Sequence, residues 1–127
     1  MSIGRIFWGL WRNYAETSEK SADPKLRTHY YKVGKTKMIE QIKHVLERKL
    51  PGWNITHIDN ERGEMLVEKK GMLRINQIVI SVIQVEPFRS AVDVVSAYKG
   101  SLGDLGMSYF TIVKFFEALN KEIPPVK

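Results

Sequence analysis

The chain contains no cysteine and no long apolar run. The missing cysteine excludes disulfides, thiolate-coordinated zinc and cysteine nucleophiles. A membrane-spanning helix needs roughly 20 consecutive apolar residues, and charged or small residues interrupt every apolar stretch here well before that length. No secretory leader pattern with a small-residue cleavage site is present either. These absences predict a cytoplasmic protein.

Histidine is also scarce, with only His29, His44 and His57 in the chain. No two of them have the spacing of metal ligands, and no carboxylate pair flanks them. We expect His44 on the polar side of a helix and His57 facing into the sheet layer. Ser96 and Ser101 lack a nucleophile-elbow motif. The sequence therefore predicts no metal site, no cofactor and no catalytic residues, and it favours a protein that is not an enzyme.

Positive charge is what the chain has in excess, with a formal net charge of +6. Much of the excess lies between Lys25 and Lys49. Such a balance attracts anionic partners, whether nucleic acid, acidic lipid or acidic protein. A solvated basic surface that keeps the protein soluble is the simpler explanation.

The first residues form a short amphipathic pattern ahead of a polar stretch. Its apolar side chains recur at helical spacing, and the candidate interface or membrane residues are Ile3, Phe7, Trp8 and Trp11. They are expected to pack on the domain or on a second copy. The alternative is a membrane interface, where tryptophan and arginine are favoured. Residues 13–25 are interpreted as a polar linker or a loosely held arm, which gives an N-terminal segment over 1–25 and a single domain over 26–127.

From residue 26 onward, hydrophobic periodicity predicts a strand, a helix, four strands and a closing helix. The predicted strands cover residues 28–33, 53–58, 64–69, 73–85 and 91–98. Thr36 is expected to cap the first helix, Gly63 to take a left-handed conformation in a hairpin loop, and Pro124 to forbid continuation of the last helix. The fold class is therefore α+β, an antiparallel sheet of about five strands with both helices on one face, in the order β-α-β-β-β-β-α.

The predicted strand over 73–85 is apolar on both sides. Val79, Ile83 and Val85 lie on one face, while Ile78 and Ile80 lie on the other. Because one-sided alternation fails in its middle, both faces are expected to be covered there. The cover can be the N-terminal segment, a partner subunit or a ligand.

A glycine-rich joint follows the last strand and leads into the closing helix. Glycine admits backbone angles that other residues avoid, so a constrained turn is expected over residues 100–106. Asp93 lies in the strand before it, where a carboxylate is costly unless it is exposed or paired. An ion pair with Arg62, Arg74 or Arg89 is the structural explanation, and a ligand-orienting role is the functional one. The candidate ligand-binding residues are Asp93, Ser96, Gly100, Asp104 and Gly106.

The segment Val92-Asp93-Val94-Val95-Ser96-Ala97-Tyr98-Lys99-Gly100, continuing through Asp104-Leu105-Gly106, resembles the C-terminal signature of the domain-of-unknown-function family numbered 1499. Leu26-Arg27-Thr28-x-x-Tyr31 is similar to the Bacillus-type cytosolic members of that group. Val95 stands where the family often has arginine. The resemblance implies a bacterial α+β domain and no particular activity.

Four functional hypotheses follow from the sequence. The leading one is a binding module that engages another protein or itself, because apolar surface is abundant and no catalytic set is present. The others are peripheral attachment to an anionic membrane through the N-terminal segment, a small-molecule site near the glycine-rich joint, and nucleic-acid binding.

Overall fold

The computed structural model describes residues 14–17, 26–70, 75–99 and 107–126, and it describes the backbone alone for 14–16, 97–99 and 107–109. The elements are β1 Tyr14–Glu16, β2 His29–Tyr31, α1 Lys35–Arg48, β3 Trp53–Asp59, β4 Glu64–Lys70, β5 Ile75–Glu86, β6 Arg89–Lys99 and α2 Met107–Glu122. From β2 onward their order is the predicted one, which confirms the α+β fold class.

All strand pairs that the structure describes are antiparallel, in the order β1-β6-β5-β4-β3, and β2 also pairs with β6. The long β5–β6 hairpin is therefore the centre of the sheet. The free side of β6 carries two short strands in succession. β2 pairs with residues 90–92 and β1 with residues 95–97.

The strand β1 lies inside the stretch that the sequence predicted to be a linker. It spans only three residues, too few for an alternating pattern to be recognised. Its position is set by pairing with β6, and the Thr17 N–H donates to the Val94 carbonyl oxygen at 2.9 Å just after it ends. Long-range backbone pairing, rather than the local sequence pattern, therefore decides the structure of this segment.

Both described helices pack on one face of the sheet, as predicted. The expected apolar stripe of α1 is buried there: Met38, Ile39, Ile42, Val45 and Leu46. From α2 the core receives Ile112, Phe115, Phe116 and Leu119. These side chains meet the sheet through Met65, Val67, Ile78, Ile80, Val82, Val92 and Val94. We call this the helix face and the opposite side the outer face.

The middle of β5 is buried on both faces, which confirms the sequence prediction. Ile78 and Ile80 are fully buried on the helix face, and Val79 on the outer face is only 1% exposed. Towards the end of the strand the outer face opens, and Ile83 and Val85 are about half exposed. The last part of β5 is therefore accessible to solvent on its outer face, whereas the middle is covered.

The start of α1 differs from the prediction. Its N-cap is Gly34, with no side-chain capping bond, and Thr36 is exposed. The Lys35 N–H, at the first position of the helix, donates instead to Oε1 of Gln84 at 2.6 Å. First-turn N–H groups need an acceptor, but it can come from anywhere in the fold. Here β5 supplies it.

The hairpin loop between β3 and β4 was predicted correctly. Gly63 has φ +73°, the left-handed conformation that glycine adopts without a steric cost. Its carbonyl oxygen accepts from the Val82 N–H at 2.7 Å, so the loop extends the contact between β4 and β5.

No helix within the described ranges is long and apolar enough to cross a membrane.

Candidate functional site

The candidate ligand-binding residues of β6 are not brought together. Side chains of a strand alternate between faces, so Asp93 and Ser96 point to opposite sides of the sheet. Ser96 is fully buried on the helix face, and Asp93 is part-buried on the outer face. Other predicted site residues lie outside the described ranges: Gly100, Asp104, Gly106, Ile3, Phe7, Trp8 and Trp11.

Asp93 bonds to two hydroxyl groups. Its Oδ1 accepts from the Thr17 and Thr28 side chains, each at 2.6 Å. The Thr17 Oγ1 in turn accepts from the Val94 N–H at 2.8 Å. Thr17 follows β1 and Thr28 precedes β2, so this carboxylate links the two short strands to β6.

The predicted ion pair of Asp93 is not found within the described residues. Arg62 lies 3.8 Å from Asp59, and Arg89 stacks over Tyr30. Arg74 lies outside the described ranges. Hydroxyl donors at charge-assisted distances satisfy the carboxylate instead.

Ser96 belongs to a buried polar cluster between the sheet and α2. Its hydroxyl donates to Asn76 Oδ1 at 2.9 Å, and Asn76 Nδ2 donates to Thr111 Oγ1 at 2.8 Å. All three residues are buried. Buried polar groups of this kind are stabilised by bonding one another, so the arrangement explains Ser96 without a ligand.

His29 is the one histidine that packs into the fold. Its ring stacks on Phe116 with 3.8 Å between centroids, and its Nδ1 lies 2.8 Å from the Arg27 carbonyl oxygen. Burial lowers the pKa of His29 below its ordinary value of 6.5.

His44 is exposed as predicted. His57 is exposed as well, which corrects the expectation that it faces the sheet layer, since a register shift separates Ile55 from His57.

The described residues form no metal-binding group, and a groove on the surface lies away from the predicted site residues. No group of three or more histidine, aspartate or glutamate side chains there is placed to hold a metal ion. A groove of about 390 Å³ runs between the end of α1 and β3. Its lining includes Leu50, Trp53 and Ile55, and it includes none of the predicted site residues.

Among the described residues of the sheet, the most exposed large apolar side chains lie at the turn end of the β5–β6 hairpin. Phe88 in the turn is 81% exposed, Ile83 52% and Val85 48%. We call these three residues the hairpin-end patch. From their pattern, Ile83 and Val85 were predicted to be strand residues, and Phe88 was not identified as a candidate. The signal was present in Glu86-Pro87-Phe88-Arg89, which places an aromatic residue in a turn between opposite charges.

The hairpin end is held in place from the helix face. Gln84 accepts from the Lys35 N–H through Oε1 and donates through Nε2 to the Glu86 carbonyl oxygen. The turn also lies close to the start of α1, since a Cβ added to Gly34 would be 3.1 Å from the Pro87 carbonyl oxygen. The hairpin-end patch is therefore supported by a helix terminus on one side and open on the other.

Two opposite charges flank the patch. Glu86 and Arg89 are partners in the hairpin register, yet neither is in an ion pair with another described residue. The Arg89 guanidinium lies over the Tyr30 ring at 5.1 Å from its centroid. Its Nε is buried without a hydrogen-bond partner. Phe88 thus lies in a turn between a carboxylate and a guanidinium that are not within ion-pair distance of one another.

This arrangement can bind, because it combines exposed apolar side chains with a carboxylate and a guanidinium. The comparisons with known proteins add no activity to it. No protein-family model matches the chain, and no curated protein matches it either.

Proposed function

We propose that this chain is a non-enzymatic interaction module that binds protein through the hairpin-end patch. The observation that carries the proposal is the exposure of Ile83, Val85 and Phe88 on one end of a sheet whose middle is buried on both faces. Exposed apolar clusters of this kind mark interaction surfaces in folded proteins.

Burial of the patch supplies a driving force for association. Removing a large apolar side chain from water contributes roughly 1.5–3 kcal/mol. Phe88, at 81% exposure, has most of that contribution still available. Ile83 and Val85 add about half of theirs, since about half of each is already covered.

The residue types around the patch are those that dominate binding energy at protein interfaces. Aromatic residues and arginine are enriched among such positions. Here Phe88 projects from the turn, and Arg89 is stacked on Tyr30 next to it. Stacking orients the guanidinium before any partner arrives, which lowers the entropic cost of binding.

Contacts with the start of α1 also lower the entropic cost of binding, because they restrict the backbone of the turn. The bonds of Gln84 and the close approach of Gly34 to Pro87 hold the turn in one arrangement. A preorganised surface loses less conformational freedom when it is covered. The patch therefore has the properties of a ready-made contact surface.

Site-specific photo-crosslinking in living cells tests the proposal. A photoreactive phenylalanine analogue at position 88 is expected to form protein adducts that mass spectrometry identifies. The matched control is the same analogue at position 110, because Phe110 is also an exposed aromatic residue, at 63%. Adducts that form equally from both positions, or from neither, would refute the proposal.

A further inference from the structure

We infer that the protein bound by the hairpin-end patch is a second copy of this chain, related by a two-fold axis that sets Glu86 of each copy against Arg89 of the other. This inference rests on the proposed function, because it names the partner of the same surface.

The charges of the hairpin end are complementary to themselves. Glu86 and Arg89 lie on either side of Phe88, and neither is ion-paired with another described residue. A two-fold axis brings the same surface of both copies together. Two such hairpins in opposite directions then form two Glu86–Arg89 contacts around the apolar residues.

The guanidinium of Arg89 is incompletely satisfied within one copy. It stacks on Tyr30, while its Nε is buried with no hydrogen-bond partner. An arginine in this position gains from a nearby carboxylate, since charge-assisted bonds are about twice as strong as neutral ones. The buried Nε is out of reach of a second copy, so Glu86 of that copy is placed against the terminal nitrogens of the half-buried Arg89 side chain.

Space for the second copy is provided by the length of the hairpin. The pairing of β4 with β5 ends at Glu64 and Ser81, while β5 continues to Glu86. The Val82 N–H still bonds to Gly63. After Val82, no described strand pairs with the edge of β5 that faces away from β6. The patch is thus carried on a projecting element with one open edge.

The mixed charge favours a protein copy over a lipid surface. An anionic membrane attracts basic residues near the inserted apolar group. At the hairpin end Glu86, two residues before Phe88, is the register partner of Arg89, one residue after it, so its carboxylate offsets that attraction. A second copy presents the opposite charge at each position.

A charge-swap experiment tests this arrangement. Sedimentation equilibrium is measured for the unaltered chain, for Glu86→Arg, for Arg89→Glu, and for an equimolar mixture of the two variants. The unaltered chain is expected to dimerise. Each variant alone is expected to associate about tenfold more weakly or worse, because like charges then oppose one another across the axis. The mixture is expected to recover a heterodimer.

Glu47→Arg and Lys43→Glu are the matched controls, since both residues are exposed on α1 and the same charges change away from the hairpin. They are expected to leave the dimer unchanged.

Thermal unfolding of every variant checks the fold, and Phe88→Asp provides a second test that leaves the Arg89–Tyr30 stack in place. It is expected to abolish association.

Three results would overturn the inference. They are an unaltered chain that stays monomeric at millimolar concentration, a mixture that associates no better than the single variants, and a monomer that binds vesicles of phosphatidylserine and phosphatidylcholine through Phe88. If the chain is monomeric but position 88 still crosslinks to another protein, the inference fails and the proposed function stands. If position 88 forms no specific protein adduct, both fail.

Discussion

Thr17 and Asp93, 76 residues apart in the chain, are joined by a hydroxyl-to-carboxylate hydrogen bond of 2.6 Å. The same carboxylate oxygen accepts from Thr28, 65 residues away. It therefore ties the end of β1 and the approach to β2 to a single point on β6. A polar residue inside an apolar strand is explained here by the attachment of two short strands.

Replacing Asp93 with alanine should loosen this attachment. Two threonine hydroxyls would lose their acceptor, and an unsatisfied part-buried group costs about 1–3 kcal/mol. We expect the free energy of unfolding to fall by about that amount, measured by urea denaturation. Hydrogen exchange at the Val94 amide should become faster, because its acceptor Thr17 is released.

Asp93→Asn is the matched control for that prediction. The asparagine side chain keeps an oxygen that can accept from both hydroxyls, so the loss of stability should be smaller than for alanine. Equal unfolding free energies for the unaltered chain and the alanine variant, with unchanged exchange at Val94, would show that these bonds contribute nothing.

Gly63→Ala should destabilise the protein more than Gly52→Ala. Both glycines have positive φ, +73° and +88°, so alanine at either site meets the left-handed penalty of about 1–2 kcal/mol. A Cβ at Gly63 would also collide with the Val82 carbonyl oxygen, whereas at Gly52 it would meet nothing within 4 Å. The difference between the two melting temperatures isolates the cost of the collision.

If Gly63→Ala and Gly52→Ala lower the melting temperature equally, the close contact with Val82 is relieved without cost. That outcome would contradict the tight packing of this hairpin loop against β5.

Stability should fall as the solution becomes acidic because of His29. Burial places the pKa of His29 in the folded protein below its ordinary value of 6.5, against smaller opposing effects of the Arg27 carbonyl and Asp93. The unfolded chain therefore binds the proton first as the pH falls. The contribution of neutral His29 is complete above pH 6.5 and is lost as the pH drops through the folded pKa.

His29→Phe should flatten this part of the pH profile, since phenylalanine retains the stack on Phe116 and cannot titrate. His44→Gln is the control, because His44 is exposed on α1 and the variant should keep the profile of the unaltered chain. Urea denaturation between pH 5 and pH 7.5 measures all three proteins. The same slope in the His29 variant would assign the acid sensitivity to other groups.

Local pattern was enough to predict most elements of the fold. The stripe from Met38 to Leu46 repeats at helical spacing, so its burial follows once any sheet is available to cover it. The strands on either side of Gly63 could also be predicted, because the residues of the loop and the alternation of the strands both indicate a hairpin. The resemblance of the β6 segment to the family numbered 1499 stays a prediction.

Long-range contacts account for what was missed. Thr36 is the better capping residue by type, but Gln84 supplies the acceptor at the start of α1. The strand β1 has three residues and exists through its pairing with β6. Asp93 and Ser96 are an exception, because alternation along the predicted strand already implied that they lie on opposite faces.

By itself, the sequence determined the periodic elements and their order, because helical and strand periodicities are properties of neighbouring residues. Only the tertiary structure decided that Asp93 receives hydroxyls from two distant segments and that Phe88 remains open to solvent. Both depend on which surfaces meet after the chain has folded, and no single segment carries that information.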